Sequence, residues 1–449
     1  MQPTESSSPS FWVRHAISIK GIVIAILVLI LLIPTGMIAL LVNERESRKL
    51  EVVNEVSAKW GNAQTLIGPV LGIPYLEYTQ QSITDAKGKN VDKVVKEIRY
   101  AYFLPDQLTV NGKILPEKRY RSIYEIVVYG SELSFKGNFG AVSLGKWNVA
   151  PENWLLKEAF VAVGISDLRG IEEQIKLNWR GQKVDFQPGI PAYDFSDAGV
   201  HAPVDVPLQG QTSSFDFSLS LKGSRQLFFV PVGKETIVSL QSTWPSPSFD
   251  GQFLPDKRKV ESNGFSATWK ILDLNRNFPQ TWTGTQENIR NSGFGVNLLT
   301  VNDSYQQTMR SVKYAVMLIA LTFTVFFFIE LLNNQKVHPF QYLLIGLSLC
   351  IFYTLLLSIS EYLSFQMAYG VATILTLGLI LVYTQSLFQQ PKLVGLIGGV
   401  MVLMYGFVFV VIQLEDTALL VGSIGLFLVL AAVMYFSRKI HWYNTSKPS

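Results

Sequence analysis

The sequence predicts a polytopic α-helical membrane protein. One N-terminal and five C-terminal transmembrane helices are expected, with a large mainly β, sandwich-like extracytoplasmic domain inserted after helix 1. Three observations predict this. Residues 21–42 form a run of 22 residues without a charge. From Tyr314 onward the chain is one long apolar tract; between Val337 and Ser449 its only Asp, Glu, Lys or Arg residues are Glu361, Lys392, Glu415, Asp416, Arg438, Lys439 and Lys447. The stretch between these regions changes to short runs of β-branched and aromatic residues bounded by Gly, Pro, Asn and Asp.

About 20 apolar residues cross a bilayer as a helix, because lipid offers the backbone no other hydrogen-bond partner. Six spans meet this criterion: residues 21–42, 314–332, 342–360, 363–383, 393–413 and 418–436. The expected organisation is a cytoplasmic segment 1–20, helix 1 over 21–42 and a periplasmic domain over 43–313. A five-helix domain over 314–436 and a cytoplasmic tail over 437–449 follow. The first span reads as an uncleaved anchor, since Leu40, Leu41 and Val42 run into Asn43 with no small-x-small cleavage pattern after Ala39.

Orientation follows from the basic residues. Lys336, Lys392, Arg438, Lys439 and Lys447 fall in one set of loops and the tail, whereas the alternate loops carry Glu361 and Glu415 with Asp416 and no Lys or Arg. This bias places the first set, and both termini, in the cytoplasm. Arg45, Arg48 and Lys49 pull the other way, but they are interleaved with Glu44, Glu46 and Glu51 on a long translocated segment, where charge weighs less.

Composition excludes several chemistries. Cys350, within the third span, is the sole cysteine, so no intramolecular disulfide or cysteine metal cluster can form. His15, His201, His338 and His441 show no metal-ligand spacing. The net charge is +4, and residues 43–313 hold 31 basic against 29 acidic side chains. Nucleic acid, which needs a concentrated basic face, is not an expected partner. No cofactor is expected.

The outer domain opens with an amphipathic stalk over residues 44–60, in which Leu50, Val53, Val56 and Trp60 approximate one face for packing against the domain itself. Strands are expected over 98–104, 122–129, 132–138, 159–164, 174–179, 215–221, 226–230, 236–241 and 265–272. Trp179-Arg180-Gly181-Gln182 suits a hairpin connection. Trp147, Trp154, Trp179, Trp244, Trp269 and Trp282 are expected in core or edge packing. Phe103-Leu104-Pro105-Asp106 recurs as Phe253-Leu254-Pro255-Asp256, followed in each copy by Asn-Phe at 138–139 and 277–278, a candidate internal repeat.

No catalytic constellation is present: there is no Walker lysine loop, HExxH, GxSxG elbow or His-Cys pairing. Ion and proton pathways need ionisable groups at membrane depth. Glu330 and Glu361 fall at helix ends, where water is expected to reach them.

Gln64-Thr65-Leu66-Ile67-Gly68-Pro69-Val70-Leu71 with Pro74-Tyr75 resembles the signature after the first helix of the CreD family of inner-membrane cell-envelope-integrity proteins. His338-Pro339-Phe340-Gln341-Tyr342, the outer loop from Leu414 to Ser423 and the tail Arg438-Lys439-Ile440-His441-Trp442-Tyr443 resemble it too. The likeness runs from about Trp60 to Tyr443, with the same one-plus-five layout. The resemblance implies the inner membrane of a Gram-negative bacterium and a link to envelope stress. It implies no reaction and no catalytic residue.

Physically, these motifs read as architecture. Gly68, Pro69, Gly72 and Pro74 turn the chain from stalk into the first strands. His338-Pro339 ends the second helix and forces a tight cytoplasmic turn, and Trp442 anchors the tail at the interface. Glu361, Glu415 and Asp416 are expected to dock the base of the β domain, with Arg310 and Lys313 as candidate partners. The favoured function is a non-enzymatic protein of the inner membrane supporting cell-envelope integrity and the stress response. Its partners are the lipid bilayer and a periplasmic or membrane protein. The alternative is a membrane transporter or lipid-handling permease-like protein, which the eight-residue scale of the inner loops disfavours because a cytoplasmic ATPase would need more to grip.

Overall fold

The computed structural model describes residues 16–84, 90–207, 210–285, 287–298, 304–333, 335–414 and 417–438. The chain divides into two compact units: Met1–Lys49 with Asn302–Ser449, and Leu50–Val301.

The first unit holds the membrane helices. Helix α1 (Ala16–Trp60) runs 45 residues with Pro34 inside it, so the expected stalk is a continuation of the first span. A short amphipathic helix α2 (Ser304–Lys313) precedes α3 (Ala315–Leu332), α4 (Pro339–Ser360), α5 (Phe365–Phe388), α6 (Pro391–Gln413) and α7 (Ala418–Ser437). Among the described residues, six helices are long and apolar enough to cross a membrane, as the sequence predicts. Leu31, Thr35, Ile38 and Val42 are buried at spacings of four, three and four, the one face of α1 that packs on the bundle. Gly346 of α4 makes that approach possible. A Cβ there would collide with Leu31 Cδ1, the reason small residues mark close helix crossings in lipid. Helix α7 buries none of its residues within the unit.

The second unit is built from two sheets. Strand β1 (Gln64–Thr84) pairs antiparallel with β2 (Asn90–Phe103) along its distal half and with β5 (Phe160–Ile165) along its proximal half. In the nine-stranded sheet, Pro247–Gly251, Phe294–Leu298 and Gln226–Phe229 lead to β1. β5, Gly199–Pro203 and Gln187–Pro188 follow, with Thr281–Thr283 on the edge of β2. The eight-stranded sheet runs Lys257–Glu261, Gly264–Leu272, Glu235–Ser242, β3 (Gln107–Arg121), β4 (Tyr124–Phe139), Ser213–Ser224, Lys176–Trp179 and Gln182–Asp185. Both sheets feed one apolar core that includes Tyr102, Phe135, Phe139, Trp179, Trp269 and Phe294. Trp154, Trp179, Trp244, Trp269 and Trp282 are buried, the packing role expected of them.

The proline-bearing segment after the stalk is itself strand. β1 accommodates Pro69, whose peptide to Gly68 is cis, at a register shift between Ile67 and Val70, the kind of bulge that tolerates proline in a sheet. Gly68 has φ +131° and a Cβ there would meet Ala162 O at 2.9 Å. The runs at 122–129 and 132–138 join into the single strand β4, carried straight through Tyr129-Gly130-Ser131 by its partners on both sides. The hairpin at Arg180-Gly181 forms as expected, with φ of +53° and +87° at its two turn residues.

The repeat has structural content. Each Phe-Leu-Pro-Asp leads from a strand of the nine-stranded sheet into an antiparallel hairpin of the eight-stranded sheet. Gly61, Gln64, Pro69 and Val70 recur in spacing at Gly223, Gln226, Pro231 and Val232, and Trp147-x4-Glu152-Asn153 recurs as Trp282-x4-Glu287-Asn288. The parallel pairings among the described residues are β1 with Gln226–Phe229 and β3 with Glu235–Ser242. The first joins the two strands that begin with the matched glutamines, as expected where two copies meet side by side.

Candidate functional site

The most heavily wired part of the β unit is its beginning. Val53 of α1 packs on Ile126 and Val128, with Val56 and Trp60 beside them, whereas Leu50 is half exposed. The Arg119 guanidinium lies 4.7 Å and the Lys222 ammonium 4.8 Å from the centre of the Trp60 ring, both within cation–π range. Its indole N–H donates to Tyr129 O at 3.3 Å.

Gln64, the first residue of the signature, is fully buried. Its amide donates to Asp167 O at 2.9 Å and Lys222 O at 3.0 Å, and its carbonyl accepts from the Asp167 N–H at 3.2 Å. One side chain thus satisfies three backbone groups, two from the loop at Asp167 and one from the strand Ser213–Ser224, which a buried amide must do to offset its own desolvation. The Asp167 carboxylate accepts from the Asn62 N–H at 3.0 Å and the Arg169 N–H at 3.1 Å, and from the Arg169 guanidinium at 2.8 and 2.9 Å. The Arg169 side-chain bonds, joined by the Asn62 and Arg169 N–H groups and opposed by burial, hold its pKa down to about 2. Further along the signature, Pro74 O accepts from the Leu155 N–H at 2.9 Å and the Tyr75 ring lies 5.1 Å from Trp154. The signature therefore ties the stalk exit to the loop at Asp167, the strand Ser213–Ser224 and the segment at Trp154 and Leu155. Asp167 carried no sequence signal; it is an ordinary acidic residue beside Arg169 until the fold brings Asn62 and Gln64 to it.

In the membrane unit, Glu361 follows α4 directly. Its carboxylate accepts from the Tyr305 hydroxyl of α2 at 3.1 Å and faces Arg45 of α1 at 3.9 Å, and Lys49 lies 5.7 Å from the Tyr305 ring. Arg310 donates to Ile412 O at the end of α6 at 3.3 Å. Lys313, in the last turn of α2, is exposed. All these contacts are internal to the membrane unit. Glu415, Asp416 and Trp442 lie outside the described residues.

At the other end of α4, His338 caps the helix as its sequence suggests. It accepts from the Phe340 N–H at 3.2 Å, while the Gln341 side chain accepts from the His338 N–H at 2.8 Å and Pro339 takes the first helical position. Glu330 departs from expectation. It is buried, not water-exposed, because Lys20 pairs with it, the Tyr342 hydroxyl donates to it at 3.1 Å and the Val337 N–H donates at 3.1 Å. Lys20 also reaches Val337 O at 2.8 Å. The sequence places Lys20 and Glu330 310 residues apart, so the pairing needs the helix packing to become visible. Among the described residues, no three His, Cys, Asp or Glu side chains are grouped to hold a metal.

A family model described as Inner membrane protein CreD matches residues 16–443. The chain belongs to the CreD family. The Inner membrane protein CreD of Escherichia coli strain K12 is 34% identical over 445 residues, covering 98% of this chain and 95% of that protein. Among solved structures, an M1 zinc metallopeptidase from Deinococcus radiodurans aligns over 37% of this chain and 38% of its own, at 10% identity and a TM-score of 0.18. Native leukotriene A4 hydrolase from Saccharomyces cerevisiae aligns over 38% and 27%, at 12% identity and a TM-score of 0.19. Scores this low carry no argument about fold or activity. Membership of the CreD family makes this a multi-pass inner-membrane protein with a large β-sheet domain between its first and second spans.

Proposed function

We propose that this chain supports cell-envelope integrity without catalysing a reaction, and that its β domain lies on the periplasmic side and binds or senses an envelope partner. Both termini are cytoplasmic in this reading. The basic bias of the short loops supports the orientation. The observation that carries the reading is Glu361, which contacts both segments that lead to the β domain, α1 through Arg45 and α2 through Tyr305. A bundle that grips both connections at one carboxylate suits a protein that holds a domain and responds to its load. A photo-reactive amino acid placed at the exposed Tyr120, Leu254 or Leu274 tests it in living cells. A discrete crosslinked envelope component is expected; crosslinks to bulk protein alone, unchanged by envelope stress, would sink the reading.

One observation favours the lipid-handling alternative. Met317 and Leu321 of α3, Leu403 and Phe407 of α6 and Ile424 and Leu428 of α7 line an apolar cleft of about 360 Å³. Purified protein in vesicles that moved a labelled lipid between leaflets without any periplasmic partner would favour it over the binding role.

A further inference from the structure

Strands β1 and β2 run on past the sheet they belong to. Among the described residues, β1 pairs with β5 as far as Gly72 and bridges Trp154 at Tyr75, and β2 pairs with Thr281–Thr283 only over residues 101–103. From Leu76 opposite Ile98 to Thr84 opposite Asn90 the two strands pair only with each other, an arm of nine cross-strand pairs. The repeat shows that the fold does not need it. Thirty-four positions separate Pro69 from Phe103 but only 22 separate the matching Pro231 from Phe253, and the intervening strands Glu235–Ser242 and Pro247–Gly251 lie within the two sheets. One face of the arm is apolar. Leu76, Tyr78, Val94 and Ile98 fall on it with Gln80 and Lys96, and Tyr78, Val94 and Ile98 are each more than half exposed.

A two-stranded hairpin is marginal in water, and further strands sharing an apolar face stabilise it. The two free edges of the arm differ in charge. β2 carries Lys96, Glu97 and Arg99, and Arg99 bonds both Glu77 and Glu97; charges of this kind guard edge strands against added partners. From Tyr78 to Thr84, β1 carries neither charge nor proline, so its edge is unguarded. Identical strands related by a two-fold axis pair antiparallel, set one residue opposite itself and keep the same face of both arms on one side. Like charges oppose such a pairing and an uncharged run does not. A Gln amide both donates and accepts, so it can bond its own copy, and Gln80 is an exposed amide within this run. The strand that matches this edge in length, charge and apolar face is the same edge of another copy. We propose that the free edge of β1 pairs with that of a second copy of this chain, antiparallel about Gln80, joining two arms into one four-stranded sheet.

The residue on the axis is the one that can crosslink to itself. Gln80→Cys on β1 and Lys96→Cys on β2 are placed singly in the full chain, on a Cys350→Ala background, and isolated membranes are treated with a mild oxidant. A disulfide-linked dimer is expected for Gln80→Cys and not for Lys96→Cys, whose two copies would be separated by both β1 strands. No dimer at Gln80→Cys above the level at Lys96→Cys would overturn the proposal, as would an adduct with another protein in place of the dimer. Two differently tagged copies expressed together give a second readout without cysteines. Gln80→Lys, which sets lysine opposite lysine, is expected to lower their co-purification by about fivefold, and Lys96→Glu on the other edge to leave it unchanged. Equal co-purification of the wild type and Gln80→Lys would mean that this edge does not join the copies.

Discussion

The Tyr305 hydroxyl donates to Glu361 at 3.1 Å, joining the helix that leaves the β domain to the turn between α4 and α5. A hydrogen bond to a charged, largely buried acceptor is worth more than a neutral one. Tyr305→Phe is expected to lower the stability of the membrane unit by about 1–2 kcal/mol. Glu361→Gln, which keeps an acceptor, should cost less than Glu361→Ala. Thermal unfolding of the three variants in nanodiscs checks the order; equal stability of all three with the wild type would mean that the bond holds nothing.

Lys20 and Glu330 make the corresponding lock at the opposite end of α4. Breaking a buried ion pair leaves an uncompensated charge, so Glu330→Gln and Lys20→Met should each destabilise by about 3 kcal/mol, somewhat less for Glu330→Gln because the Lys20 it leaves behind is partly exposed. The double variant should lose less than the two single losses summed. Additive losses in a double-mutant cycle would show that the two side chains act independently.

Gln64 cannot be replaced conservatively. Gln64→Glu keeps the shape but loses the N–H donors that reach Asp167 O and Lys222 O. Both Gln64→Glu and Gln64→Ala should destabilise the β domain by about 3 kcal/mol, since they strand buried backbone groups. Proteolysis of the stalk exit is a suitable readout, and faster cleavage around Asn62 is the expected result.

Asp167 adds a pH dependence whose sign is fixed by its lowered pKa. Its ionised form is the one that Arg169 and the Asn62 N–H hold, so the stability it contributes is fully present above its ordinary pKa of 3.8 and is lost as pH falls through about 2. The stability difference between the wild type and Asp167→Asn should therefore be constant near neutrality and shrink from about pH 4 downward. A difference that stays constant to the acid limit would refute the assignment.

Gly346 sets the approach of α1. A side chain there would collide with Leu31, so Gly346→Val should cost about 1–3 kcal/mol, and Gly346→Val with Leu31→Ala should recover part of it. No recovery would mean that Leu31 is not the residue that Gly346 accommodates.

The membrane helices were legible because a bilayer imposes a length and a composition that few soluble segments share, and each expected span falls within or nearly coincides with an observed helix. The strands were legible where residues alternate, as in Ser213–Ser224, and illegible where β1 carries Pro69 and Pro74 or where β3 carries Lys113, Lys118 and Arg119. Those strands exist because neighbouring strands supply the ladder. The signature residues Gln64 and His338 could be singled out from sequence, but their partners could not. Asp167 meets Asn62 and Gln64, Lys20 meets Glu330 and Tyr305 meets Glu361 across scores to hundreds of residues, and no local pattern encodes those contacts.

The proposed function requires the β domain to lie on the periplasmic side of the membrane. In a Cys350→Ala background, single cysteines replacing the exposed Lys259 of the β domain and the exposed Lys392 at the start of α6 are probed in intact spheroplasts with a membrane-impermeant thiol reagent. The prediction is that Lys259→Cys is labelled at once and Lys392→Cys only after the membrane is opened. Labelling of Lys392→Cys with protection of Lys259→Cys would place the domain in the cytoplasm and contradict the account.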